Sequence, residues 1–168
     1  ALAWENGKPY TTFTMGENLT VSATGTAVGS YGLNSGKYYT SGENWRIYQN
    51  ESPSVTIAAT GKTIKTVKIT YLSEKTGTLT LNGANVASDE VVSVNGASVT
   101  FSVGNTGTET KGQARITAIE VTFGEASDNK GDGSVTNGDT VTSVIANVAD
   151  ALAWENGKPY TTFTMGEN

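Results

Sequence analysis

The two ends of this chain carry the same sequence, letter for letter. Residues 1–18 read ALAWENGKPYTTFTMGEN, and residues 151–168 repeat that segment without a change. Chance does not produce an identity of this length, so we interpret the chain as a window on a tandem array with a unit of about 150 residues. That period is far longer than the roughly 20–50 residues of solenoid and propeller repeats. The repeated element is therefore predicted to be a whole domain.

The composition excludes several kinds of chemistry. The chain has no cysteine and no histidine, which removes disulfides, thiolates and the commonest general base and metal ligand. The net charge is −5 and the lysines and arginines are scattered, so we expect no nucleic-acid partner. No apolar run approaches the length of a membrane span. Because no nucleophile–base pair and no facing pair of carboxylates is evident, we predict that the unit is not an enzyme.

Short alternating segments dominate the chain and predict an all-β fold. The predicted strands are residues 10–14, 19–27, 45–49, 55–59, 67–72, 78–81, 91–94, 99–103 and 119–123. The pairs Asn82-Gly83 and Asn95-Gly96 are the strongest hairpin signals. Many short strands at this spacing favour an antiparallel β-sandwich.

Two of these segments share an unusual pattern. In IKTVKITY and ITAIEVTF, starting at Ile64 and Ile116, three apolar residues alternate and a leading isoleucine stands out of step by one residue. A one-residue slip would turn that isoleucine to the wrong face of the sheet, so a bulge or tight turn is expected in each segment. Lys68 and Glu120 fall at equivalent outward positions and could pair if the strands are neighbours.

The composition changes after Gly124. Residues 125–139 are polar and rich in glycine and aspartate, which predicts a linker or loop. Apolar residues then recur at helical spacing, with Asp139 as the N-cap of a short helix at about 140–152. We therefore divide the chain into a β-sandwich repeat unit at 1–124, a linker at 125–139, and the start of the next repeat at 140–168. By the repeat, residues 1–4 would be the end of the equivalent helix.

From Gly36 to Gly124 the chain resembles β-sandwich modules in large surface proteins of gut bacteria, of the Bacteroidota and Firmicutes type. The resemblance rests on GKYYTSGENWRIYQNE, VTIAATGKTIKTVKITY and SVTFSVGNTGTETKGQARITAIEVTF. It implies a jelly-roll-like sandwich and an extracellular or cell-surface location. It implies no particular activity, because fold does not transmit function.

A second, local resemblance concerns residues 128–152, which are similar to half of a dockerin calcium repeat. Asp128, Asp132, the Ser134 carbonyl and Asp139 match ligand positions of such a loop. Lys130 stands where a further oxygen ligand belongs, and the second loop of the pair is missing. Structural calcium is the only cofactor that the chain suggests. The alternative is a solvated acidic linker in which Asp139 caps the helix.

Aromatic and polar side chains are concentrated in one short stretch. The candidate glycan-binding residues are Tyr38, Tyr39, Trp45, Arg46, Tyr48 and Asn50. Sugar rings stack on aromatic faces, and their hydroxyls bind amide and guanidinium groups. The alternative is that Trp45 and alternate aromatics fill the core while Arg46 and Tyr48 point outward.

The duplicated segment leads to the functional prediction. Trp4 and Trp154 are the same residue in successive repeats, and either could pack against the next domain or inside its own. A second copy of a strand, without the domain that should follow it, could dock where its twin sits in another molecule. The predicted contact residues are Trp154, Tyr160, Phe163 and Met165. We therefore predict a structural or adhesive repeat module that associates head to tail. The alternative is a carbohydrate-binding module.

Overall fold

The computed structural model describes residues 3–24, 35–51, 53–125 and 139–144, and these residues form two antiparallel β-sheets. The all-β prediction is confirmed. Within the described ranges there is no α-helix, and two 3-10 turns, Thr40–Gly42 and Gln49–Glu51, follow strands. No helix in this part of the chain is long and apolar enough to cross a membrane.

Sheet one contains six strands in the order β1-β2-β5-β10-β7-β8. They are β1 (Thr12–Met15), β2 (Leu19–Thr24), β5 (Ser54–Ala59), β7 (Gly77–Leu81), β8 (Ala84–Val86) and β10 (Ser98–Asn105). The outermost strand at one edge is β1, which pairs with β2 from Thr12↔Ser22 to Met15↔Leu19. The first copy of the duplicated segment is thus built into the domain as an edge strand.

Sheet two has the order β3-β4-β11-β6-β9, and β12 also pairs with β11. Its strands are β3 (Lys37–Tyr39), β4 (Asn44–Tyr48), β6 (Lys62–Glu74), β9 (Val91–Gly96), β11 (Gln113–Glu125) and β12 (Asp139–Val144). Along one edge of β11, β4 pairs with Gln113–Ile116 and β12 with Ala118–Phe123. The two short strands therefore follow one another along the same edge.

The two strongest turn signals have different outcomes. Asn82 and Gly83 have φ of 51° and 82° and join β7 to β8 as the predicted hairpin. Asn95-Gly96 does not form the predicted hairpin, because β9 pairs with β6 in sheet two while β10 pairs with β5 and β7 in sheet one. This turn carries the chain from one sheet to the other. An Asn-Gly pair therefore predicts where the chain turns, but it does not determine which strands the two flanking strands pair with.

The long strands β6 and β11 form the central pair of sheet two and confirm the expected bulges. Pairing shifts by one residue at Thr117, between Ile116 and Ala118, and again at Lys65, opposite the step from Thr122 to Phe123. Each extra residue lies between a leading isoleucine and its alternating strand, so Ile64 and Ile116 are both fully buried. Lys68 and Glu120 are opposite one another, and their charged groups are 3.1 Å apart.

The region after the linker differs from its prediction. Residues 139–144 form β12, which pairs with β11, so the predicted helix does not begin here. Asp139 is the first residue of this strand and does not cap a helix. The backbone of residues 139–144 pairs within sheet two. The sequence TVTSVI has both helical spacing and the β-branched residues that favour strands. The segment forms a strand because residues 118–123 of β11 offer an edge with which it can pair. The rest of the predicted helix lies outside the described residues.

The predicted helical end at residues 1–4 is also wrong over the part described, because Ala3–Glu5 is not helical. The buried residues of both sheets form a single hydrophobic cluster. Its largest fully buried members are Trp45, Tyr38 and Phe101. Two aromatic hydroxyls in this cluster have contrasting surroundings. Tyr71 donates to the Val86 carbonyl at 2.6 Å, whereas the Tyr38 hydroxyl has no hydrogen-bond partner among the described residues.

We expect Tyr71→Phe to destabilise the domain and Tyr38→Phe to leave it as stable or more stable. Removing the Tyr71 hydroxyl leaves the buried Val86 carbonyl without this hydrogen bond, which lowers the free energy of unfolding by about 1–3 kcal/mol. Removing the Tyr38 hydroxyl deletes a buried group that makes no such bond. Denaturant unfolding of both variants measures the difference, and equal losses would contradict the assignment.

Candidate functional site

The predicted aromatic cluster is divided by the alternation of β3 and β4. Tyr38 and Trp45 face the core and are 0% exposed, so they cannot contact a ligand at the surface. Their place in the glycan-binding set is corrected: they are core residues, as the alternative interpretation expects. Tyr39, Arg46 and Tyr48 lie on the opposite face and are half-buried, and Asn50 is exposed just beyond β4.

The outward residues form a polar surface that we call the arginine–tyrosine face, defined by Lys37, Tyr39, Arg46, Tyr48, Gln113 and Arg115. The Arg46 guanidinium lies 3.9 Å from the centre of the Tyr39 ring. Its Nε donates to the Asn44 side-chain oxygen at 3.0 Å. The Tyr48 side chain lies beside those of Tyr39 and Arg46, and both act on its hydroxyl. The contacts hold these side chains in one arrangement against the sheet.

Positive charge is concentrated on this face. Lys37, Arg46 and Arg115 are successive cross-strand neighbours on β3, β4 and β11. Like charges directly opposite one another destabilise a sheet. Glu74 offsets part of this charge, since its carboxylate is 3.2 Å from Arg115. Burial, reinforced by Tyr39, raises the pKa of the Tyr48 hydroxyl, so Tyr48 stays neutral and can donate at physiological pH.

Sequence reasoning found half of this face and missed the other half. Gln113 and Arg115 are more than sixty positions from Tyr48 in the chain, yet Gln113 is directly opposite it. Next along the same row as Arg115 lies Leu72, which is 59% exposed. The alternation around Ile116 indicates outward positions for these residues. Only the strand order shows that they border the predicted cluster.

A second site is the place where the first copy of the duplicated segment is held. Trp4 packs against Tyr10, Phe13 and Tyr38, with ring centres 4.4, 5.3 and 5.2 Å away. Phe13 also meets Trp45 edge-on at 5.3 Å. The Tyr10 hydroxyl donates to the Ala3 carbonyl and accepts from the Glu5 amide, which folds residues 3–10 into a compact loop.

The backbone of this segment joins both sheets. Before β1 begins, residues 7–10 lie beside β3: the Gly7 amide donates to the Tyr38 carbonyl, and the Tyr38 amide donates to the Lys8 carbonyl. From Thr12 onward the chain pairs with β2 of sheet one. We call residues 3–15 the clasp, because this single stretch lies along one edge of each sheet. The place it occupies, lined by β2, β3 and Trp45, is the clasp site.

One buried hydrogen-bond donor ties the clasp to its site. The Trp45 indole N–H lies 2.7 Å from the Gly36 carbonyl and 3.2 Å from the Tyr10 carbonyl. Gly36 has a φ of +84°, and a Cβ there would come within 3.2 Å of the Tyr10 carbonyl oxygen. Glycine is thus required both for the backbone conformation and for the close approach of the clasp.

The remaining predicted site residues lie mostly outside the described residues. These are Asp128, Asp132 and Ser134 of the calcium loop, and the second-copy residues Trp154, Tyr160, Phe163 and Met165. Asp139 begins β12. No group of three or more acidic residues that could hold a metal ion occurs within the described ranges. Calcium therefore stays a prediction. The first-copy equivalents Tyr10, Phe13 and Met15 are buried in the core.

No family model matches the chain, and neither the curated proteins nor the solved structures gave a match to it.

We expect Trp45→Phe to loosen the clasp. The substitution keeps an aromatic ring but removes the N–H, leaving the Gly36 and Tyr10 carbonyls without that donor. The expected loss is about 2–3 kcal/mol in the free energy of unfolding, with faster proteolysis of residues 3–15. The matched control is Phe101→Leu, a core change in sheet one away from the clasp. Equal cleavage rates at the clasp in the two variants would contradict this role.

Proposed function

We propose that this chain is a structural, adhesive tandem-repeat module of a bacterial cell-surface or filament-forming protein, with a jelly-roll-like sandwich as its repeating domain. Neighbouring repeats associate head to tail through the duplicated segment. The observation that supports this is the role of the first copy, which contributes a clasp to both sheets and Tyr10, Phe13 and Met15 to the core. A plain linker would not need to keep those residues, yet the second copy keeps every one.

The position of β12 supports a close connection between repeats. Only residues 145–150 separate the end of β12 from the second copy. In an array, the copy would be tethered by this short stretch to one domain and would serve as clasp for the next. Such short tethers raise the effective concentration of a neighbouring segment to about the millimolar range. Repetition also multiplies any weak binding surface that each domain presents.

Energetics limit how separate chains exchange clasps. A second copy that enters another molecule displaces a segment identical to itself, so the free energy released on docking equals the free energy needed to displace the resident copy. Association of two free molecules costs an estimated 4–15 kcal/mol in translational and rotational freedom. Exchange is therefore favoured where the tether of an array removes that cost, or where a clasp site stands empty.

We expect the duplicated segment to bind as a free peptide to a chain whose two clasps are both disabled. The acceptor is Phe13→Asp with Phe163→Asp, since a charge at this buried position keeps each copy out of the core. A peptide of sequence ALAWENGKPYTTFTMGEN should raise the Tm of this acceptor in proportion to the logarithm of peptide concentration.

The matched control is the same peptide with its phenylalanine replaced by aspartate, which should leave the Tm unchanged. A wild-type peptide that does no better than this control would refute docking of the duplicated segment between molecules, and with it the proposed association of repeats.

A second candidate function is carbohydrate binding at the arginine–tyrosine face. The observation that favours it is the row of Lys37, Arg46 and Arg115 beside Tyr48 and Gln113 on an outward sheet surface. Cations at neighbouring cross-strand positions suit carboxylate or sulfate groups on successive sugars, and tyrosine and glutamine supply hydroxyl and amide partners. The ligand class would be an acidic glycan.

We expect Arg46→Ala to weaken binding to acidic glycans at least about tenfold, as loss of a charge-assisted hydrogen bond predicts. Glycan-array binding of the folded variant measures this. The control is Lys68→Ala, which removes a cation from the same sheet at a position already paired with Glu120. An array on which the wild-type chain binds neutral and acidic glycans equally weakly would exclude this candidate.

A further inference from the structure

We infer that the second copy of the duplicated segment, residues 151–168, is an alternative clasp for its own domain. It would enter the clasp site of the same molecule and displace residues 3–18. This inference rests on the proposed function, in which the duplicated segment docks into a clasp site. It adds that the first site available to the second copy is the one in its own molecule. The domain would then have two interchangeable first strands, one from each end of the chain.

The clasp site suits either copy of the duplicated segment, whether it comes before β2 or after β12 in the chain. Among the strands that the structure describes, β1 is the outermost of sheet one, and its one partner there is β2. Replacing it leaves the pairing of β2 with β5, and everything beyond it, in place. The side-chain requirements of the site are met by Trp154, Tyr160, Phe163 and Met165 as well as by their first-copy equivalents, because the two segments are identical.

The described chain before the second copy also ends close to this site. Strand β12 lies beside β1. Its last residue, Val144, is opposite Ala118, and Trp45 is opposite Ile116 two residues further along the same edge of β11. Tyr38, which stacks against Trp4, is the cross-strand partner of Trp45. Residues 145–150 reach roughly 20 Å when extended, which covers two residues along the edge of β11, about 7 Å, and one cross-strand step of about 5 Å, with chain to spare.

Loop lengths set the balance between the two forms. The first copy is connected to β2 by residues 16–18, and the second clasp would be connected to β12 by residues 145–152. Closing a loop nearly three times longer is disfavoured by a factor of about four, because the probability of closure falls as the 3/2 power of loop length. The first copy is therefore preferred, as the structure has it. Unlike exchange between molecules, this exchange involves no association cost.

The test uses the full chain and disables one clasp at a time. Phe163→Asp alone should leave the Tm unchanged. Phe13→Asp alone should lower the Tm by no more than about 4 °C, because the preference set by loop length is all that is lost once the second copy enters. The double variant has no intact clasp and should lose at least about 10 °C.

Concentration separates this exchange from docking between molecules. The Tm of the Phe13→Asp chain should not depend on protein concentration if the rescue comes from its own second copy. A Tm that rises with concentration would show rescue by another molecule; it would overturn the inference and leave the proposed function standing. A Phe13→Asp chain as unstable as the double variant would also overturn the inference.

Cross-linking gives an independent measurement, since the chain contains no cysteine. Thr14 and Thr20 are cross-strand partners on β1 and β2. Thr164 occupies the position of Thr14 in the second copy. In the Phe13→Asp background, Thr20→Cys with Thr164→Cys should form a disulfide within one chain on mild oxidation. The positive control is Thr14→Cys with Thr20→Cys in the otherwise unchanged chain. A link found only between chains, or none while the control is linked, would overturn the inference.

Discussion

The rest of the domain depends on one short stretch of chain that contacts both sheets around a buried indole. Trp45 is fully buried, and its N–H must find an acceptor inside the protein. The carbonyls of Gly36 and Tyr10 supply it. These two bonds bring together the loop before β3, the strand β4 and the clasp. Because the clasp then continues into β1, the edges of sheets one and two are held side by side by a continuous backbone.

In the middle of sheet two, the long strands β6 and β11 pair with each other, and β11 contributes Gln113 and Arg115 to the arginine–tyrosine face. The bulges at Lys65 and Thr117 each shift the register once, which keeps Ile64 and Ile116 in the core. The bulge at Thr117 also separates the half of β11 that pairs with β4 from the half that pairs with β12. The bulge therefore divides β11 into a segment beside β4 and the arginine–tyrosine face and a segment beside β12.

The duplication has an unusual consequence once the clasp is seen. In the proposed array, the segment that completes the core of one domain is also tethered, through β12, to the domain before it. Identical sequence means that side-chain packing alone does not choose between these two uses. Loop length favours the first copy within its own domain, and the association cost disfavours exchange between free molecules relative to exchange within one molecule. Under that proposal, the boundary between repeats depends on which of the two contacts forms.

Features that depend on short-range interactions can be predicted from the sequence, whereas those that depend on distant residues cannot. Local alternation and turn residues were enough for the all-β class, for most strands, for the Asn82-Gly83 hairpin and for the two bulges, because these depend on neighbours a few residues away. The inward position of Trp45 and Tyr38, the strand at 139–144 and the crossing of Asn95-Gly96 between sheets were decided only by the tertiary structure. Each depends on which strand edge was open and on what lay across it. Gln113 and Arg115 beside Tyr48 belong to the same group, since cross-strand neighbours are set by strand order, and strand order is a property of the whole chain.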